Sequence, residues 1–139
     1  MHELNYDKDL IYTFVTHFFP VRYSEGLKGI GLVKDGSLVA GVLYDDWSGP
    51  NIWMHVAALP GRRWMTKEAY KMYTYACFEY PFLFLGCTRI SGWVEASNKD
   101  AIKFDEHLGF KPEAVLKKAA RDGGDVIIYS MFREDCRFL

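Results

Sequence analysis

Arg62, Arg63 and Lys67 bracket a point where a strand-like run gives way to a helix-like one. The run reads Val56-Ala57-Ala58-Leu59-Pro60-Gly61-Arg62-Arg63-Trp64-Met65-Thr66-Lys67. Pro60-Gly61 interrupts the strand pattern, and Thr66 is a residue type that caps helices well. A helix start leaves backbone N–H groups unpaired and carries a partial positive charge. With three cationic side chains beside it, this junction is a candidate site for a phosphate or pyrophosphate. The same residues would also serve as an ordinary solvated turn. A second stretch, Asn98-Lys99-Asp100-Ala101 followed by Leu108-Gly109-Phe110, reads on its own as a capped amphipathic helix with a glycine stop.

The elements that must position these residues follow from periodicity. Leu10, Ile11, Phe14, Val15 and Phe18 recur at helical spacing, which predicts a helix over 7–19 with Asp7 as its cap and Pro20 beyond its end. Two strands follow at 30–34 and 37–45. Asp35-Gly36 between them is a hairpin signal, because a tight turn there needs positive φ. After a turn over 46–51 comes a strand at 52–58. Ala69, Met72, Tyr73, Ala76 and Tyr80 form one stripe of a helix over 66–80. A strand at 88–95 and a helix at 98–108 precede two last strands at 113–120 and 125–132, joined through Asp122-Gly123-Gly124. Antiparallel hairpins at both ends thus flank a strand–helix–strand crossover. The order predicts one domain over 1–139 of mixed α/β (α+β) class. Its sheet would be mostly antiparallel, with about six to seven strands and helices on both faces.

Composition narrows the functional classes. The chain has 139 residues, half of them apolar and 17% aromatic, enough for one sizeable core. Its 17 basic and 18 acidic residues leave a formal charge of −1, which argues against nucleic acid or an anionic membrane as a partner. Cys77, Cys87 and Cys136 are odd in number and show no zinc-site spacing, so free thiols, a reducing cytoplasmic setting and no metal are expected. Cys77 and Cys87 are expected to pack rather than react. The opening residues lack a signal-peptide layout, and no stretch has the length of a membrane span. Trp47, Trp53, Tyr75 and Phe138 exceed what a small core needs and suggest a homodimer.

Read together, Asn98-x-x-Ala101, the Leu108-Gly109-Phe110 ending, the following Lys111-Pro112-Glu113-Ala114-Val115-Leu116 and the closing 125–133 strand resemble the GNAT acetyltransferase family. The resemblance covers the part from Ile52 onward. The Gly61-to-Thr66 run and the Asp135-Cys136-Arg137-Phe138-Leu139 tail look like small bacterial and phage-encoded members. It implies an acetyl-CoA-dependent N-acetyltransferase, with acetyl-CoA as co-substrate and an amine of a small molecule or peptide as acceptor. In that family one strand splays from its neighbour and the pantetheine arm enters the gap. The resemblance assigns this to the 52–58 strand, with Val56, Ala57 and Ala58 nearest the thioester and backbone N–H groups near Val56 and Ala57 polarising its carbonyl. It assigns the pyrophosphate to Arg62, Arg63, Trp64, Met65 and Thr66, and further cofactor contacts to Asn98, Ala101 and Phe104. Two departures stand out. Gly61 alone represents the usual glycine-rich loop, with Trp64 and Thr66 near the expected glycines. Asp105 occupies the place where many members carry a tyrosine that protonates the leaving thiolate.

Asp105 borders the apolar face of its helix, where partial desolvation would raise its pKa and let it donate a proton. Alternatively it is an exposed carboxylate paired with Lys99 or Lys103. Candidates to accept the proton of an attacking amine are His55 and Glu95. Asp45 and Asp46 suit either an acceptor pocket or a surface turn. The implied mechanism is sequential, with direct attack of the amine on the thioester. The rival expectation is a GNAT-like domain without catalysis, serving as a binding or assembly module.

Overall fold

In a computed structural model, which describes residues 1–61 and 65–139, the chain forms one seven-stranded sheet. The strands are β1 (His2–Asn5), β2 (Lys28–Lys34), β3 (Ser37–Asp45), β4 (Asn51–Ala58), β5 (Arg89–Glu95), β6 (Lys111–Leu116) and β7 (Val126–Phe132). They lie in the order β1-β2-β3-β4-β5-β7-β6. All neighbours are antiparallel except β4 and β5, which are joined by the crossover helix. The helices are α1 (Lys8–Thr16), α2 (Lys67–Glu79) and α3 (Lys99–Leu108). Among the described residues, no helix is long and apolar enough to cross a membrane.

The expected class and element order are those observed, and the differences have local causes. Strand β1 was not anticipated: four residues are too few for alternation to show, and pairing with β2 creates it. Helix α1 stops at Thr16 rather than at residue 19. Helix α2 ends at Glu79, and the chain continues in a wider turn over Tyr80–Phe84, around Pro81, where the Leu85 N–H donates to the Tyr80 carbonyl at 2.9 Å. Strand β6 spans Lys111–Leu116, not 113–120, and Lys118 turns the chain at a φ of 61°. Pro112 fits because β6 is an edge strand, with one side free of ladder bonds. Asp35-Gly36 forms the expected hairpin, with φ of 51° and 88°.

Two cores lie on opposite faces of the sheet. Ile11 and Val15 of α1 pack with Leu27, Leu43 and Ala57 on one. Phe78 of α2 and Leu108 of α3 pack with Tyr44, Met54, Ile90 and Tyr129 on the other. Helix α1 sits very close to the sheet: a Cβ on Gly41 would lie 3.2–3.3 Å from Ile11, Phe14 and Val15. Phe138 is half-buried and stacks on Phe78 at 5.0 Å, so it belongs to this packing rather than to an exposed aromatic surface. Arg137 beside it donates to the carbonyls of Leu108 (3.0 Å) and His107 (2.6 Å), closing the C-terminus of α3.

Candidate active site

The parallel pair β4–β5 is joined over only three positions, Asn51↔Arg89, Ile52↔Ile90 and Trp53↔Ser91. Beyond them the strands diverge, while β4 stays paired with β3 up to Ala58 and β5 with β7 up to Glu95. The result is a notch of about 530 Å³, solvent-open space included, lined by Met54, His55 and Val56 on one side and by Gly92, Trp93 and Glu95 on the other. Asn98, Ala101 and Asp105 of the α3 segment form its floor. Gly92 keeps it open, since no side chain projects there. Backbone groups of β4 that would have bonded to β5 face the gap without a ladder partner.

An open groove of about 2210 Å³, solvent-open space included, continues past the end of β4 to the starts of α2 and α3. Val56, Ala57, Ala58, Met65, Thr66, Asn98, Ala101 and Phe104 all line it, together with Lys67, Lys103 and His107. The Thr66 hydroxyl oxygen caps α2 by accepting from the Ala69 N–H at 3.1 Å, which leaves its hydroxyl hydrogen to donate. Asn98 caps α3 in the same way through Oδ1 and the Ala101 N–H at 3.2 Å, leaving its amide NH₂. Arg62, Arg63 and Trp64 lie outside the described residues. Tyr70 also lines the groove, and its buried hydroxyl has no hydrogen-bond partner among the described residues. A buried orphan hydroxyl is costly unless something polar meets it. A groove with small residues such as Ala57 and Ala58 and cations such as Lys67 and Lys103 in its lining can hold an extended ligand with an anionic end.

The three titratable candidates sit differently. Along β4, Met54 and Val56 face α2 and α3, so alternation turns His55 and Ala57 toward the α1 side. His55 is buried there, 2.9 Å from Asp45 Oδ1 through Nε2 and edge-on to Trp93 at 6.3 Å. Glu95 accepts from the Arg121 N–H at 2.6 Å and from its guanidinium at 2.8 and 3.0 Å. The arginine holds this carboxyl below its ordinary range, making it a poor proton acceptor. Asp105 enters the notch from the opposite face, on α3. Burial, with a further contribution from the charge of Glu106, pushes its pKa up from 3.8 to about 7. None of the ion pairs among the described residues involves it, so the expected alternative of a pair with Lys99 or Lys103 is not what is seen. Cys77 and Cys87 are buried away from the notch, and burial pushes the Cys77 thiol up to about 12.

Several lining residues escaped the sequence reading. Gly92 carried a usable signal, an isolated glycine within a strand pattern. Trp93, Phe19 and Tyr70 carried none, because each reaches the site through a packing geometry that periodicity does not encode. The contact between Asp45 and His55 depends on the β3–β4 register, in which Leu43 faces His55 and Asp45 faces Trp53.

No protein-family model matches the sequence, and no curated protein matches it. Solved structures do. One described as a "Probable acetyltransferase" superposes with a TM-score of 0.63 at 17% identity, covering 79% of this chain and 64% of the other, so the chain spans under two thirds of that protein's length. Structures of the spermidine/spermine N-acetyltransferase SpeG from Vibrio cholerae match with TM-scores of 0.72 and 0.73 at 12% and 14% identity. They cover 96% of both chains in the first case, and 99% of this chain and 97% of the other in the second. At such identities the likeness is one of fold, and the chain has the GNAT-type acetyltransferase fold.

Proposed function

We propose that this chain is an N-acetyltransferase that moves an acetyl group from acetyl-CoA directly to an amine. The observation that carries the reading is the shared notch: a buried imidazole reaches it from one face of the sheet, and a carboxyl whose pKa burial raises to about 7 reaches it from the other. Acetyl-CoA supplies the activated acetyl group. Its anionic end lies toward Thr66, Lys67 and Lys103, with Arg62 and Arg63 adding charge, and its pantetheine arm pairs with the free edge of β4. The Tyr70 hydroxyl and the Asn98 amide are donors along that path.

The acceptor, a primary amine on a small molecule or peptide, approaches from the α1 side past Phe19 and Trp93. Its nitrogen attacks the thioester carbon, the C–N bond forms and the C–S bond breaks. His55 takes the proton lost by the amine, and Asp105 gives its proton to the CoA sulfur, so the two transfers balance. Backbone N–H groups near Val56 and Ala57 stabilise the oxyanion. Protons then return to Asp105 and leave His55 through solvent. Glu95, held by Arg121, shapes the rim and is not the base.

The test is turnover of Asp105→Asn with a panel of primary amines, alongside acetyl-CoA binding by calorimetry. Asparagine has no acid proton, so kcat falls while affinity for acetyl-CoA is kept. An unchanged kcat would remove Asp105 from the chemistry. A wild-type protein that binds no CoA derivative at millimolar concentration would leave the non-catalytic module as the remaining account.

A further inference from the structure

We propose that Asp45 is a positioning residue that fixes His55 in the tautomer carrying its hydrogen on Nε2, leaving Nδ1 as the nitrogen that receives the acceptor's proton. This rests on the reading of His55 as the base. A carboxylate can only accept, so an Nε2 at 2.9 Å from Asp45 Oδ1 must itself carry the hydrogen. In a neutral ring the lone pair then belongs to Nδ1, for which no hydrogen-bond partner occurs among the described residues. The contact is well shielded, with side-chain exposures of 7% for His55 and 17% for Asp45, so water competes weakly for either group.

The surrounding backbone aims Asp45 at the ring. It is the last residue of β3, held opposite Trp53 by the ladder, one pair away from the Leu43↔His55 pair on the same face. Asp46, immediately after it, takes a φ of 52° and turns the chain away from the sheet. The Trp93 ring borders the imidazole on the β5 side. A ring bonded on one edge and walled on another has one orientation, and its second nitrogen is the one left for the notch. A carboxylate that only tied two strand ends together would not need to choose a nitrogen of the ring.

The experiment is ¹⁵N NMR of histidine-labelled wild-type protein, at a pH where the ring is neutral, combined with steady-state kinetics of Asp45→Asn and His55→Gln. The expected wild-type spectrum shows His55 with a protonated Nε2 and an unprotonated Nδ1. Asp45→Asn loses that bias, and its kcat falls by about tenfold or more, within the span a general base commands, while acetyl-CoA affinity stays within about twofold. A wild-type spectrum with the hydrogen on Nδ1 overturns the proposal without needing any variant to fold. So does an Asp45→Asn protein that keeps both the tautomer and its kcat. Unchanged turnover in His55→Gln removes the base reading itself, and is recognised because the tautomer in the wild type is measured independently.

Discussion

Lys103 and Lys99 of α3 lie off the i±3 and i±4 positions that would meet Asp105 on the helix, and its carboxyl lines the notch. Its raised pKa has a thermodynamic consequence. Between the ordinary value of 3.8 and about 7, the folded protein holds a proton that the unfolded chain has released. Stability therefore falls as pH rises through that window and levels off above it. Asp105→Asn removes the slope, so thermal melts between about pH 4 and pH 8 should be flatter for the variant and should converge with wild type at the acid end. A parallel loss of slope in turnover above about pH 7 would link the same proton to catalysis. His55 is the other single-residue test. His55→Gln should lower kcat by about 10²–10⁴-fold, measured against acetyl-CoA binding that does not change.

At the scale of elements, the notch exists because β4 and β5 pair for three positions and then part. A Cβ added at Gly92 would meet only the Met54 carbonyl oxygen at 3.5 Å, an ordinary contact, so a larger side chain there is accommodated by the fold but not by the gap. Gly92→Val should therefore keep a near-native melting temperature while weakening acetyl-CoA binding by about tenfold or more, roughly 1.4 kcal/mol, in calorimetry. The two helices that flank the groove depend on polar ends. Thr66 caps the start of α2, and Arg137 closes the end of α3, the helix that carries Asp105. Removing a charge-assisted closure of this kind costs about 1–3 kcal/mol, so Arg137→Ala should lower the denaturant midpoint without changing its slope.

For the whole molecule, ligand binding and stability are linked. Acetyl-CoA at a hundred times its Kd should stabilise the folded chain by about 2.7 kcal/mol, a rise in Tm on the order of 10 °C for a domain of this size. The absence of any shift would remove acetyl-CoA from the account while leaving the fold untouched. Residue order alone determined the hairpin at Asp35-Gly36, the caps at Thr66 and Asn98, the glycine stop at Gly109 and the crossover between strands. These are local features, set by φ preferences, side-chain hydrogen bonds over three residues and apolar spacing. It also marked Asp105 and His55 as candidates, but left open whether the aspartate was paired and which face the histidine took. Tertiary structure decided those. The pairing of β3 with β4 brought Asp45 to His55, and the loop between β6 and β7 brought Arg121 to Glu95 at the end of β5 and occupied it. Packing α3 across the gap desolvated Asp105. A carboxylate's protonation state and a ring's partner are properties of what surrounds them. Those surroundings come from segments tens of residues away, whose distances only the folded chain defines.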